Sequence, residues 1–136
     1  MEILKEIKNC VNWYSENYAT IEINTAHDLK SKLVTYLYNL ADLVAEMKRE
    51  SLFATVYRKY EHHNLKSRLI EQQFTIGKAE SKSIKDTKEF LEAEAEYESI
   101  TFRLKILFDQ GNKVVDDLQQ RIATLKKEME NSRNQG

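Results

Sequence analysis

Two adjacent imidazoles, His62 and His63, a lone thiol, Cys10, and four alternating carboxylates, Glu92, Glu94, Glu96 and Glu98, are the side chains here whose types invite chemistry. Their spacing does not support it. Consecutive residues on a helix project about 100° apart, so His62 and His63 cannot pinch one metal ion as an i,i+4 pair would. No His-Glu-x-x-His arrangement is present, and His27 is remote. Carboxylates at every second position travel around a helix, which points to solvated surface instead of an acid/base or two-metal pair. A lesser reading sets them against the basic middle of a neighbouring copy. Cys10 has apolar neighbours and no nearby histidine, and the sequence contains neither a Gly-x-Ser-x-Gly elbow nor a phosphate-cradling glycine loop. The chain is therefore expected to be non-enzymatic and to need no cofactor, with Cys10 acting as a small buried hydrophobe.

What remains is binding chemistry. From Arg58 to Lys88 the chain carries eight basic residues against four acidic ones, a local surplus within a formal charge of −1. The cations are interleaved with Tyr57, Tyr60, His62, His63 and Phe74. Cations neutralise phosphates while exposed rings stack on bases, a combination that favours single-stranded nucleic acid over an intact duplex. The residues expected at such a surface are Arg58, Lys59, Tyr60, His63, Lys66, Arg68, Lys78 and Lys82. Tyr60 and His63 are the preferred rings, because Tyr57 also fits an apolar seam. Glu61, Glu71, Glu80 and Asp86 would break the patch if they shared its face. The plainer alternative is a solvated helix whose lysines and glutamates serve solubility.

The elements that position these residues are helices. The 136 residues include no proline and three glycines, and Glu, Lys, Leu and Ala lose least on entering a helix. A large sandwich or barrel is not expected on that ground. No window approaches the roughly 20 apolar residues of a membrane span, and MEILKEIKNC lacks the pattern of a secretory signal, so a soluble cytoplasmic protein is expected. One cysteine allows no internal disulfide.

Ile3, Ile7, Cys10, Val11 and Tyr14 recur at helical spacing and predict a short helix over 1–17. Thr25 with Asp28 resembles a capping box and predicts a long helix over 25–76, basic in its second half. A connector is expected over 77–88, around Gly77, with a shorter helical piece from Glu80. The clearest pattern runs Ala93, Tyr97, Ile100, Leu104, Phe108, Gly111, Val115, Leu118, Ile122, Leu125 and Met129, predicting a helix over 88–130. Two successive steps of four around Leu104 form a stutter. Residues 131–136 read as a disordered tail.

The last helix would be about 63 Å long, whereas a compact domain of this size is about 28 Å across. The predicted fold is therefore all-α: an elongated helical hairpin with a short N-terminal helix, oligomerising through the long C-terminal helix. Phe90, Phe102, Leu107 and Val114, placed beside the main seam, add apolar surface that another subunit would cover. Leu104, Phe108, Val115, Leu118, Ile122 and Leu125 are the expected interface. An ordinary three-helix monomer is the competing architecture.

The segment LEAEAEYESITFRLKILFDQGNKVVDDLQQRIATLK, Leu91 to Lys126, resembles the C-terminal pattern of UvsY-like recombination mediators of tailed bacteriophages. KYEHHNLKSRLIEQQFTIGKAESKS, Lys59 to Ser83, is similar in placement to the basic and aromatic region of that family. The resemblance implies an oligomeric, ring-forming accessory protein in the bacterial host cytoplasm. Such a protein binds single-stranded DNA, helps displace a single-strand-binding protein and loads a RecA-type recombinase. It further implies phosphate contacts at Lys59, Lys66, Arg68, Lys78 and Lys82, base contacts at Tyr60 and His63, and self-association through Leu118, Ile122 and Leu125. The other function expected of this sequence is a phage structural or packaging accessory protein, a homo-oligomeric coiled-coil module that does not touch DNA.

Overall fold

The computed structural model describes residues 2–135, and these are all-helical without strands. Four helices follow one another: α1 (Glu2–Asn17), α2 (Ile23–Glu71), α3 (Ile76–Asp86) and α4 (Lys88–Gln135). They divide into two compact units, Met1–Leu43 with Leu104–Gly136, and Val44–Arg103.

The first unit has an apolar core. Ile7, Cys10 and Tyr14 form the buried face of α1, and Leu33, Leu40 and Leu118 are its fully buried leucines from α2 and α4. Each fully buried leucine or isoleucine contributes roughly 1.5–3 kcal/mol by leaving water. At Gly111 the α4 backbone packs directly on Leu37 of α2: a Cβ there would stand 2.5 Å from a Leu37 methyl. The link from α1 to α2 is pinned by Arg121, whose guanidinium donates to the Ala19 carbonyl at 3.1 Å. Cys10 is buried, and that burial pushes its thiol above the ordinary range.

The α4 register differs from the sequence expectation at adjacent apolar pairs. Leu107 and Val114, placed beside the seam, are buried in this core, whereas Phe108 and Val115 are half-buried. Of the residues expected at a subunit interface, Leu104, Leu118 and Ile122 are buried within the chain, while Phe108, Val115 and Leu125 are half-buried. Phe102 alone among the proposed flanking residues stays well exposed, and Phe90 is half-buried against Tyr57.

The second unit has a smaller apolar core and more polar packing. Leu69 and Ala79 are buried together with Ser83, Thr87 and Thr101. Ala79 and Ser83, four apart, are the small residues on the inward face of α3.

Helix ends explain the remaining differences. α2 begins at Ile23, two residues before the expected Thr25 cap. It ends at Glu71, not in the Gly77 region. Gln73 adopts φ 70°, the Phe74 amide donates to the Leu69 carbonyl and the Gln73 amide to the Ile70 carbonyl, a Schellman stop built on a residue other than glycine. Gly77 instead lies inside α3 with ordinary backbone geometry. The expected connector is thus mostly helix, capped by Thr75 and separated from α4 by Thr87 alone. The Thr87 hydroxyl donates to the Ser83 carbonyl at 2.6 Å. Of the tail expected over 131–136, residues 131–135 continue α4, and 136 lies outside the described residues.

Candidate nucleic-acid interface

All eight residues expected to meet nucleic acid lie in the second unit, but they have three different fates. Arg58 and Lys66 are engaged within the chain. The Arg58 guanidinium donates to Glu94 Oε2, and the Thr55 hydroxyl donates to Glu94 Oε1 at 2.9 Å. These bonds, Arg58 first, hold the Glu94 carboxyl below its ordinary range against the opposing effect of burial. Lys66 pairs with Glu80, whose carboxyl is lowered chiefly by that hydrogen bond.

Glu80 also meets His62, with Nε2 3.2 Å from Oε1, while His62 Nδ1 lies 3.0 Å from the Ser83 hydroxyl. A carboxylate at Nε2 requires a proton on that nitrogen. In the neutral ring Ser83 then donates to Nδ1; in the doubly protonated ring the hydroxyl turns to the Glu80 carbonyl, 3.2 Å away. His62 is therefore a packing residue joining α2 to α3. Among the described residues, no group of three His, Cys, Asp or Glu is placed to hold a metal ion.

Lys59, Tyr60, His63 and Arg68 are exposed on α2. Helical geometry sets Lys59 and His63 on one side, with Arg68 about 180° from Lys59, so these cations do not form one patch. Tyr60 shares an exposed apolar face of α2 with Phe53 and Val56.

The cations that do converge are on α3. Lys78 and Lys82 are joined by Lys85 at spacings of four and three, which places all three on one exposed face, about 110° around the axis from buried Ala79 and Ser83. The turn before the helix sets Phe74 beside them, with Lys82 Nζ 5.4 Å from the ring centroid. Phe74, Thr75, Lys78, Ser81, Lys82 and Lys85 are among the residues lining an open groove of about 860 Å³. Asp86 lines it too, the single carboxylate among its lining residues. The groove offers three ammonium groups, a ring face and hydroxyls, which suits a flexible polyanion carrying planar groups.

Sequence reasoning placed Lys78 and Lys82 in the site but preferred Tyr60 and His63 over Phe74 and left Lys85 out. The 78, 82, 85 spacing was the available signal. Glu94 was read as solvated, yet its side chain is only 12% exposed because it receives Arg58 and Thr55.

No known protein family, no curated protein and no solved structure matches this chain.

Proposed function

We propose that this chain is a non-enzymatic single-stranded DNA-binding protein of the UvsY-like mediator kind, acting as a homo-oligomer that assists loading of a RecA-type recombinase and displacement of a single-strand-binding protein. The observation that carries the DNA reading is the α3 face of Lys78, Lys82 and Lys85, with Phe74 at its edge. The mediator role rests on the sequence resemblance.

From Lys78 to Lys85 the face extends about 10 Å, enough for about three phosphates. One such face binds weakly. Several copies on one strand multiply the local concentration of sites, which is how a chain of near-neutral total charge can hold a polyanion. The mechanism is passive: the lysines neutralise phosphates, Phe74 stacks on an unpaired base, and the bound strand is presented extended to the recombinase. The long helices are read as an elongated hairpin in the host cytoplasm.

The second reading, a phage structural or packaging module that contacts only protein, is favoured by one observation: Leu52, Phe53, Val56, Tyr57 and Tyr60 are all exposed along α2, a feature DNA does not require.

Fluorescence anisotropy of labelled single-stranded and duplex DNA, at several salt concentrations, separates the two. A mediator binds single strands more tightly and loses affinity steeply as salt rises. Absence of binding to both at low salt overturns the DNA reading and leaves the protein-contact module.

A further inference from the structure

With 11 residues, α3 is shorter than the roughly 12–15 below which an isolated helix is marginal, so its helicity and its position both depend on docking. That docking is not apolar. The two branched aliphatic residues of α3, Ile76 and Ile84, are 69% and 54% exposed, while the residues it buries are Ala79 and Ser83. Ala79 contributes a single methyl group, which removes too little surface from water to fix a helix against α2.

Polar bonds supply what the apolar contact lacks. His62, Lys66 and Leu69 recur at spacings of four and three along α2 and share one face of it. Glu80 of α3 meets two of them, with the Lys66 ammonium at Oε2 and His62 Nε2 at Oε1. Both carboxylate oxygens are thus held from α2. One turn further along α3, the buried Ser83 hydroxyl lies 3.0 Å from Nδ1 of the same imidazole. Arg58, one turn before His62, is committed to Glu94 and does not compete for Glu80.

We propose that Glu80 is a positioning residue: held by Lys66 and His62, it latches α3 to α2 in the rotation that presents Lys78, Lys82 and Lys85 beside Phe74. The inference rests on the reading of that face as the single-strand site. It gives Lys66 a role through Glu80 in place of a phosphate contact. Rotation matters because the lysine face lies about 110° around the axis from Ala79 and Ser83, so a roll of α3 carries the ammonium groups away from the ring. Glu80 projects on the side of the helix away from Lys78 and Lys82, and so restrains them without neutralising them.

Glu80→Ala in the full chain tests it by two measurements. Alanine is the better helix former, so any loosening of α3 reports the lost latch and not lost propensity. Amide hydrogen exchange without DNA should quicken by about tenfold or more over α3 while α1 keeps its protection. An α3 as protected as in the parent overturns the proposal. By anisotropy, single-strand affinity should fall by about threefold or more, even though the variant removes a negative charge near a polyanion site. Unchanged or tighter binding, in a parent that binds, overturns the positioning role and leaves the DNA reading intact. Adding Lys66→Ala to Glu80→Ala should change neither affinity nor salt slope further, since Lys66 acts through the group already removed. A further loss, with the slope shallower by about 0.7 per copy, makes Lys66 a phosphate contact and overturns its role here. A parent that binds neither single strands nor duplex overturns the DNA reading, and the exchange result alone then decides the latch.

Discussion

Arg58 on α2 donates to the Glu94 carboxylate on α4 across 36 residues of sequence, and Thr55 completes the carboxylate's coordination from one turn before Arg58. This pair turns a cation expected at the DNA surface into a packing group. Arg58→Ala is expected to lower the melting midpoint, by about 1 kcal/mol of stability for a partly exposed charged hydrogen bond, and to leave single-strand affinity within about twofold. Thermal denaturation and anisotropy of the one variant read both. A large loss of affinity with unchanged stability would return Arg58 to the DNA surface.

Acid should loosen the same unit. Glu94 and Glu80 both have carboxyls lowered by their cationic partners, Arg58 and Lys66 respectively. Each binds protons less readily in the folded chain than in the unfolded one, where a glutamate titrates at about 4.3. Their contribution is therefore complete above that value and is lost as pH falls through the lower, folded one. Melting midpoints measured from pH 7 down to pH 3 should fall most steeply below about pH 4. Glu94→Gln should be less stable than the parent at pH 7 and show a shallower acid decline.

The stop of α2 carries a correctable cost. Gln73 holds a left-handed backbone, φ 70°, where a side chain is disfavoured by about 1 kcal/mol. Gln73→Gly should raise stability by about 0.5 kcal/mol, the part of that strain left after the added freedom of the unfolded chain is subtracted. A rise of about 1–3 °C in thermal midpoint is the expected reading, and a fall would contradict the assignment of strain to Gln73.

At Gly111 the expectation has the opposite sign. Any side chain there meets Leu37, which is itself buried, so Gly111→Val should cost about 1–3 kcal/mol despite glycine's poor helix propensity. Combining it with Leu37→Ala should give less than the sum of the two losses, because the second change vacates the space the first requires. Denaturant titration of the two single variants and the double variant measures that coupling.

Periodicity made the helical class and the course of α4 legible, since apolar residues recur there at threes and fours for ten steps. It failed where two apolar residues stand side by side. Leu107 and Phe108, or Val114 and Val115, differ by about 100° around the axis, and only the neighbours α1 and α2 decide which of each pair is buried. The end of α2 was hidden for another reason. Gly77 was the visible interruption, whereas Gln73 makes the turn against its own preference. Glu80 and Glu94 could not be matched to Lys66 and Arg58 from sequence, because their pairing depends on how α3 and α4 return along α2. The basic face of α3 was the most accessible part of the site: 78, 82 and 85 form one stripe by arithmetic alone.

The most direct test of the account is the salt dependence of single-strand binding, measured by anisotropy for the parent and for the triple variant Lys78→Ala, Lys82→Ala, Lys85→Ala. Three fewer phosphate contacts should weaken binding and reduce the slope of log affinity against log salt by about 2 for each copy engaged. An unchanged affinity and slope, in a variant of normal helicity, would contradict the assignment of the α3 face to DNA.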